Sequence, residues 1–283
     1  MLKPPYTRYD HLYVYNFNTT DIGDVDDPDL IGTWIEDDTA ILFFHREKQE
    51  LVDSICRRKG VEIIYQADLD YRDWEAGLDI TTFSVGPLNV IPVWERTNKE
   101  KTEKNDSIDI VLDPSVIFGS GFHPTTRLCL QALTWLYRDV DRSIDSVIDF
   151  GTGTGLLAIG AAKLGAQNVT GYDYNPFACQ VARKNVGLNN CQETVTIRQG
   201  DLLSQLPEVG CDLVICNLYK GLLVHLFNNP RFWNSAYYLI SGFIPSMEEE
   251  LLSALPMENL KLIDRQSSGN WRLWLLKNTT TNE

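Results

Sequence analysis

Residues 148 to 155, Ile148-Asp149-Phe150-Gly151-Thr152-Gly153-Thr154-Gly155, set an apolar strand with an acidic residue near its end directly before three alternating glycines. No other stretch restricts the fold as much. Glycines at every second position remove Cβ atoms, so the backbone turns sharply and approaches a ligand, and the next helix presents its free N–H groups. This is how an α/β sheet seats a nucleotide-like cofactor. The dinucleotide fingerprint has its third glycine one position later, where this chain carries Leu156. The offset favours S-adenosylmethionine over NAD.

From Ile108 onward, short apolar strands alternate with helical patterns, which predicts a mostly parallel sheet with helices on both faces. Strands are expected at Val147 to Phe150, Asn168 to Asp173, Val195 to Gln199, Asp212 to Cys216, Tyr237 to Gly242, Leu260 to Arg265 and Trp271 to Leu276. The last two flank Ser267-Ser268-Gly269-Asn270 and read as a terminal hairpin. Residues 108–283 are therefore expected to be an α/β domain, doubly wound around a mostly parallel, seven-stranded, Rossmann-like sheet. Residues 1–95 read as a small α+β domain. It has a strand from His11 to Phe17, a hairpin of Leu30 to Trp34 with Thr39 to Phe44, an amphipathic helix from Glu47 to Lys59, a strand from Val61 to Tyr65, and a second β segment from Thr82 to Trp94. The charged stretch 96–107 is the expected linker.

The formal net charge is −14, and residues 1–95 hold 8 Lys and Arg against 19 Asp and Glu. Such a surface repels phosphate backbones, so direct nucleic-acid binding is not expected, whereas a basic protein partner would be attracted and steered. Acidic loops that merely keep the protein soluble are the plainer explanation. The six cysteines, Cys56, Cys129, Cys179, Cys191, Cys211 and Cys216, show no metal-ligand spacing. No apolar run approaches a membrane span and Met1 to Pro5 begin no apolar leader, so a reduced cytoplasmic location and no metal are expected.

Asp173 ends the second expected strand, 22 residues after Gly151, where a carboxylate accepts both ribose hydroxyls. Its bland alternative is a cap for the helix that starts at Pro176, a task Asn175 could equally perform. Asp201, in Gln199-Gly200-Asp201, could meet the adenine amino group or be a plain turn aspartate. Phe118-Gly119-Ser120-Gly121-Phe122-His123-Pro124-Thr125-Thr126 precedes a helical pattern that Thr125 or Thr126 would cap, and its glycines suit a loop folding over the methionine end of the cofactor. Asn217 ends the fourth strand at the mouth of the sheet. Its side-chain oxygen and the next carbonyl can accept N–H groups from an amine and aim the nitrogen lone pair.

These pieces, in this order, resemble the PrmA family, the methyltransferases of ribosomal protein L11, over roughly residues 108–277. Ser241-Gly242-Phe243-Ile244, Glu248-Glu249-Glu250, Asp73-Trp74 and Val93-Trp94 add to the likeness. The resemblance implies a Rossmann-like methyltransferase fold, with Thr126, Gly151, Asp173 and Asn217 in contact with S-adenosylmethionine; Gly153, Gly155 and Asp201 are the further candidate cofactor contacts. It also implies a first domain that holds the protein substrate, a large-subunit ribosomal protein methylated at a lysine or α-amine. His123, Leu218 and Tyr219 are the candidate substrate contacts, and Asn217 the candidate catalytic residue. Departures fall at Ser120, Phe122 and Leu218-Tyr219-Lys220. The family's first domain is ferredoxin-like with two helices, but Thr19 to Asp29 is a poor helix former here, so its first helix is expected to be shortened or absent. Rival readings are a small-molecule or peptide methyltransferase on this scaffold, a nucleic-acid methyltransferase, a cofactor-binding module without catalysis, and an NAD dehydrogenase.

Overall fold

The computed structural model describes residues 1–280 apart from Pro5, Asp37, 75–78, 97–106, 141–142 and Met257. The chain begins with β1 (His11–Phe17), β2 (Leu30–Glu36), β3 (Thr39–Phe44), α1 (Gln49–Lys59) and β4 (Ile63–Asp70), and the strands form an antiparallel sheet in the order β2-β3-β1-β4. Helix α1 buries Val52 and Ile55 against this sheet, and ends where Gly60 N–H bonds the Cys56 carbonyl at 2.8 Å. No helix forms between β1 and β2 among the described residues. Strand β4 runs five residues past the expected end at Tyr65. It is an edge strand with a largely exposed sequence, so one open face tolerates polar residues and blurs the alternation that marks a strand. A short turn of helix, α2 (Tyr71–Trp74), follows at once.

Strands β5 (Phe83–Val85) and β6 (Leu88–Pro92) make the expected second β segment a hairpin, and β6 pairs in parallel with β7 (Ile108–Leu112). The expected linker lies outside the described residues except for Arg96 and Ser107, and the strands on either side of it lie side by side. By its place in the sequence the hairpin belongs to the small first domain. Its Val85, Leu88 and Val90 nevertheless share one buried cluster with Leu130 and Leu133 of α3 (Pro124–Trp135) and Ile159 of α4 (Leu156–Leu164).

The remaining elements are β8 (Ser146–Phe150), β9 (Asn168–Asp173), α5 (Pro176–Leu188), β10 (Val195–Gln199), β11 (Leu213–Asn217), α6 (Lys220–Phe227), β12 (Tyr237–Phe243), α7 (Pro245–Ser253), β13 (Leu260–Ser268) and β14 (Trp271–Asn278). They build the seven-stranded sheet in the order β10-β9-β8-β11-β12-β14-β13, in which β14 alone runs antiparallel to the other strands. Both faces are covered, and alternation assigns each side chain to one of two cores. Val147, Leu213, Ile215, Leu239 and Leu275 face α3 and α4, while Ile148, Val214, Cys216, Ile240 and Trp274 face α6 and α7.

A third cluster joins the two sheets: Ile31 and Phe43 pack with Ile117 and with Phe177, Ala178 and Val181 of α5. Gly32 makes this approach possible, since a Cβ there would lie 2.1 Å from the Phe177 ring. Asn185 of α5 and Asn189, which caps its C-terminus, bond the backbone of β7 and of the residue after it. Asn189 exchanges hydrogen bonds with Val111 at 2.8 and 2.7 Å, and Asn185 does so with Asp113 at 2.8 and 3.0 Å. The Asn185 amide also donates to the Thr154 carbonyl at 2.9 Å, so the same side chain fixes the glycine loop.

Candidate active site

The loop after β8 takes the left-handed conformation at Gly151, Gly153 and Gly155, with φ of +70°, +54° and +82°. At Gly153 the need is steric as well, because a Cβ would lie 2.3 Å from the Phe118 carbonyl oxygen. That closeness comes from a second loop laid against the first: Thr154 N–H donates to Phe118 O at 3.2 Å and its hydroxyl donates to Gly119 O at 2.7 Å. The glycine-rich segment 118–121 and the glycine loop therefore behave as one wall.

Asp173 closes that wall from β9. One carboxylate oxygen accepts Gly153 N–H at 3.0 Å and the other accepts Asn175 N–H at 3.0 Å, while Asn175 caps α5 through Phe177 N–H at 2.9 Å. The helix cap is thus supplied by Asn175, which leaves Asp173 at the cavity. Burial holds its carboxyl above the ordinary carboxylate range, against the bonds from these backbone amides. Asp201 is a turn aspartate, accepting Leu203 N–H at 2.9 Å, that also stands at the cavity.

The cap of α3 differs from expectation. His123, not a threonine, occupies the cap position, its Nδ1 accepting Thr125 N–H at 3.3 Å and lying 2.7 Å from the Thr125 hydroxyl. Proline fixes φ and has no N–H, so Pro124 takes the first helical position and the residue before it becomes the cap. With Nδ1 acting as acceptor and burial lowering its pKa, the imidazole is neutral at neutral pH. It packs on Phe118 and Trp271, with ring centroids 5.1 and 4.7 Å away. Thr126, one turn into α3, is buried and faces Asn217, whose amide nitrogen lies 3.5 Å from its hydroxyl, long for a hydrogen bond.

A cavity of about 620 Å³ opens at the carboxyl ends of the strands, between the two sheets. Of the residues expected from sequence, it is lined by Gly151, Gly153, Asp173, Asp201, Leu218 and Tyr219. Thr126, Gly155 and Asn217 are not in its lining, and His123 lines a smaller adjoining cavity of about 270 Å³. Leu218 is buried against Gly151, whereas Tyr219 is 61% exposed at the rim. The larger cavity holds three carboxylates, Glu36, Asp173 and Asp201, and no Lys or Arg among its described lining residues. Among the described residues no cluster of three or more His, Cys, Asp or Glu is placed to hold a metal, and no helix is long and apolar enough to cross a membrane.

Sequence inspection missed Trp34 and Glu36, which reach the cavity from β2, and Phe118, which stands between the two cavities. The usable sign was Gly32. It shares a strand face with Trp34 and Glu36, and a glycine inside an otherwise good strand marks a close approach. Asp149, the acid near the end of β8, has no role that the sequence alone suggests. It is fully buried, its pKa pushed up to about 7 by desolvation, with one oxygen accepting the Thr152 hydroxyl at 2.7 Å and the other meeting no partner among the described residues.

A family model described as ribosomal protein L11 methyltransferase (PrmA) matches residues 39–279. Among similar proteins, one from Exiguobacterium sibiricum named ribosomal protein L11 methyltransferase is 37% identical over 187 residues, covering 65% of this chain and 56% of that protein. One of the same name from Carboxydothermus hydrogenoformans is 31% identical over 214 residues, covering 74% and 68%. For relatives like the first, then, the chain matches only a little over half of their length. A solved structure of ribosomal protein L11 methylase from Lactobacillus delbrueckii subsp. bulgaricus superposes with a TM-score of 0.59 at 24% identity, over 70% of this chain and 99% of that one, a likeness of fold.

Proposed function

The chain belongs to the ribosomal protein L11 methyltransferase (PrmA) family, and from that premise we propose that it transfers methyl groups from S-adenosylmethionine to amino groups, a lysine side chain or an α-amine, of a basic ribosomal protein in the cytoplasm. One observation carries this reading: a cavity of about 620 Å³ where the glycine loop, Asp173 and Asp201 converge without a single described basic lining residue. The size falls within the range of small-molecule sites, and the excess of carboxylate suits a cofactor and an acceptor that are both cationic.

When bound, S-adenosylmethionine supplies a methyl group made electrophilic by its sulfonium. Asp173 is assigned to the ribose hydroxyls, the backbone at Gly151 and Gly153 to close contact with the cofactor, with Gly155 starting the helix behind them, and Asp201 to the adenine. Thr126 is assigned to the cofactor, and Asn217, next to Leu218 in the chain, is assigned to accept N–H from the amine and aim its lone pair. His123 is assigned to the acceptor side with Leu218 and Tyr219, where its neutral imidazole does not repel a cation.

No general base is assigned among the described residues. The His123 Nδ1 is already an acceptor in the α3 cap, and its lowered pKa makes it a poor proton sink. The acceptor reaches its neutral form by losing a proton to water. For a lysine with an ordinary pKa of about 10.4 that is costly, and desolvation between the two sheets reduces the cost. The remaining contribution is alignment, worth about 7 to 11 kcal/mol of barrier in favourable cases.

The test is to incubate the enzyme and methyl-labelled S-adenosylmethionine with purified large-subunit ribosomal proteins and, separately, with a cell extract freed of protein. Label on a basic ribosomal protein is the expected result. Label on small metabolites alone would replace this reading with that of a small-molecule methyltransferase.

A further inference from the structure

Beside the cofactor cavity lies the smaller one of about 270 Å³, and the two share Trp34, Ile117 and Phe118. Its walls come from three parts of the chain. Trp34 stands on β2, Trp74 ends α2, and Phe118 leads the loop that is bonded to Thr154. Trp74 is braced by an edge-on contact with Phe43, at 5.4 Å between centroids. Trp34 is set by the approach of Gly32 to Phe177, and its indole N–H is buried with no acceptor among the described residues, so ring packing alone holds it. Trp74 and Phe118 remain 37% and 53% exposed, large apolar rings presented at the mouth of a site.

No Asp, Glu, Lys or Arg is among the described residues lining this cavity. Phe122, also in the lining, already faces a cation, for the Arg127 guanidinium lies 5.1 Å from its ring centroid. Trp34, Trp74 and Phe118 carry no such contact among the described residues. A cavity walled by aromatic residues and free of a carboxylate among its described lining discriminates between ammonium groups. A primary ammonium brings three strong donors and meets no carboxylate there, only the neutral polar groups of Ser120 and His123, whereas methylation replaces N–H by N–CH3, lowers hydration and keeps the charge. Aromatic faces then attract the charge through their quadrupoles, Trp most strongly.

We propose that the cavity walled by Trp34, Trp74 and Phe118 is the subsite for the N-methylated ammonium group of the acceptor. The assignment rests on the methyltransferase reading and specifies where the modified nitrogen goes. Trp34 lies before residue 39, where the family match begins, so the subsite draws on a part of the chain outside that match.

The test is calorimetric titration of the full chain with Nα-acetyl-Nε-trimethyllysine amide, with and without S-adenosylhomocysteine. The comparison ligands are the unmethylated lysine amide and the neutral isostere with a tert-butyl group in place of trimethylammonium. The trimethyl compound is expected to bind about tenfold tighter than either. Trp74 lines the smaller cavity only, so Trp74→Leu should lose that preference and Trp74→Phe should keep part of it, both binding S-adenosylhomocysteine within twofold of the parent. Thermal unfolding confirms that both variants are folded. Equal binding of the neutral isostere, no trimethyllysine binding in either condition, or an unchanged preference in Trp74→Leu would each overturn the subsite. Loss of S-adenosylhomocysteine binding by the parent chain would instead count against the transferase reading.

Discussion

Asn217 and Thr126 come from different elements, the end of β11 and the first turn of α3, and their side chains face each other across a gap too long for a firm hydrogen bond. An amide so lightly held keeps its oxygen free to accept from an amine, the property its assigned role needs. Asn217→Ala is expected to lower turnover at least a hundredfold while leaving cofactor affinity within a few-fold, read from single-turnover rates and calorimetry. Equal losses in both would make it a cofactor contact only. Asp149 makes a second prediction through pH. Its pKa is raised to about 7 in the fold, so the native state holds a proton that the unfolded chain releases near pH 4. The associated stability is fully present below that lower value and is lost as pH climbs through 7, a change on the order of 4 kcal/mol. His45, held neutral with a pKa near 4 by burial, acts in the opposite sense, so the comparison must be with a variant. Asp149→Asn should show a distinctly smaller fall in the urea midpoint between pH 5 and pH 8 than the parent.

At the scale of elements, the parallel strands of the Rossmann-like sheet were legible because each is an apolar run closed by Gly, Asp or Asn. The glycine loop and Asp173 were legible because their spacing is set by one strand-turn-helix-strand unit. What escaped depends on contacts between distant segments. The cap at His123 follows from a neighbouring proline outcompeting two threonines. The β5–β6 hairpin carries apolar residues that fit either body, and only packing puts Val85, Leu88 and Val90 with α3 and α4. The approach of β2 to the cavity rests on the absence of one side chain. Gly32→Val would place a Cβ within 2.1 Å of the Phe177 ring, and overpacking of this kind costs about 1 to 3 kcal/mol. The expected result is a lower melting temperature together with weaker trimethyllysine binding, because Trp34 moves with the strand. An unchanged melt would mean that the two sheets are not locked through this contact.

Across the whole molecule, the acidic residues concentrate in the first 95 positions, on the unit that covers one side of the cavity. Attraction of a basic protein to that surface is long-ranged and screened by salt. The KM for a ribosomal protein substrate should therefore rise several-fold between 50 and 300 mM salt, while affinity for the enclosed cofactor changes far less. A flat KM would leave the acidity as a matter of solubility alone. The functional expectations depend on the cavity between the sheets being a seat for S-adenosylmethionine. The most direct measurement is calorimetric titration of the full chain with S-adenosylmethionine, S-adenosylhomocysteine and NAD, repeated on Asp173→Asn. The account predicts one site for the first two ligands, none for NAD, and roughly tenfold to a hundredfold weaker binding in the variant. Binding of NAD without heat from either sulfur ligand, or an Asp173→Asn variant that binds as the parent does, would contradict it.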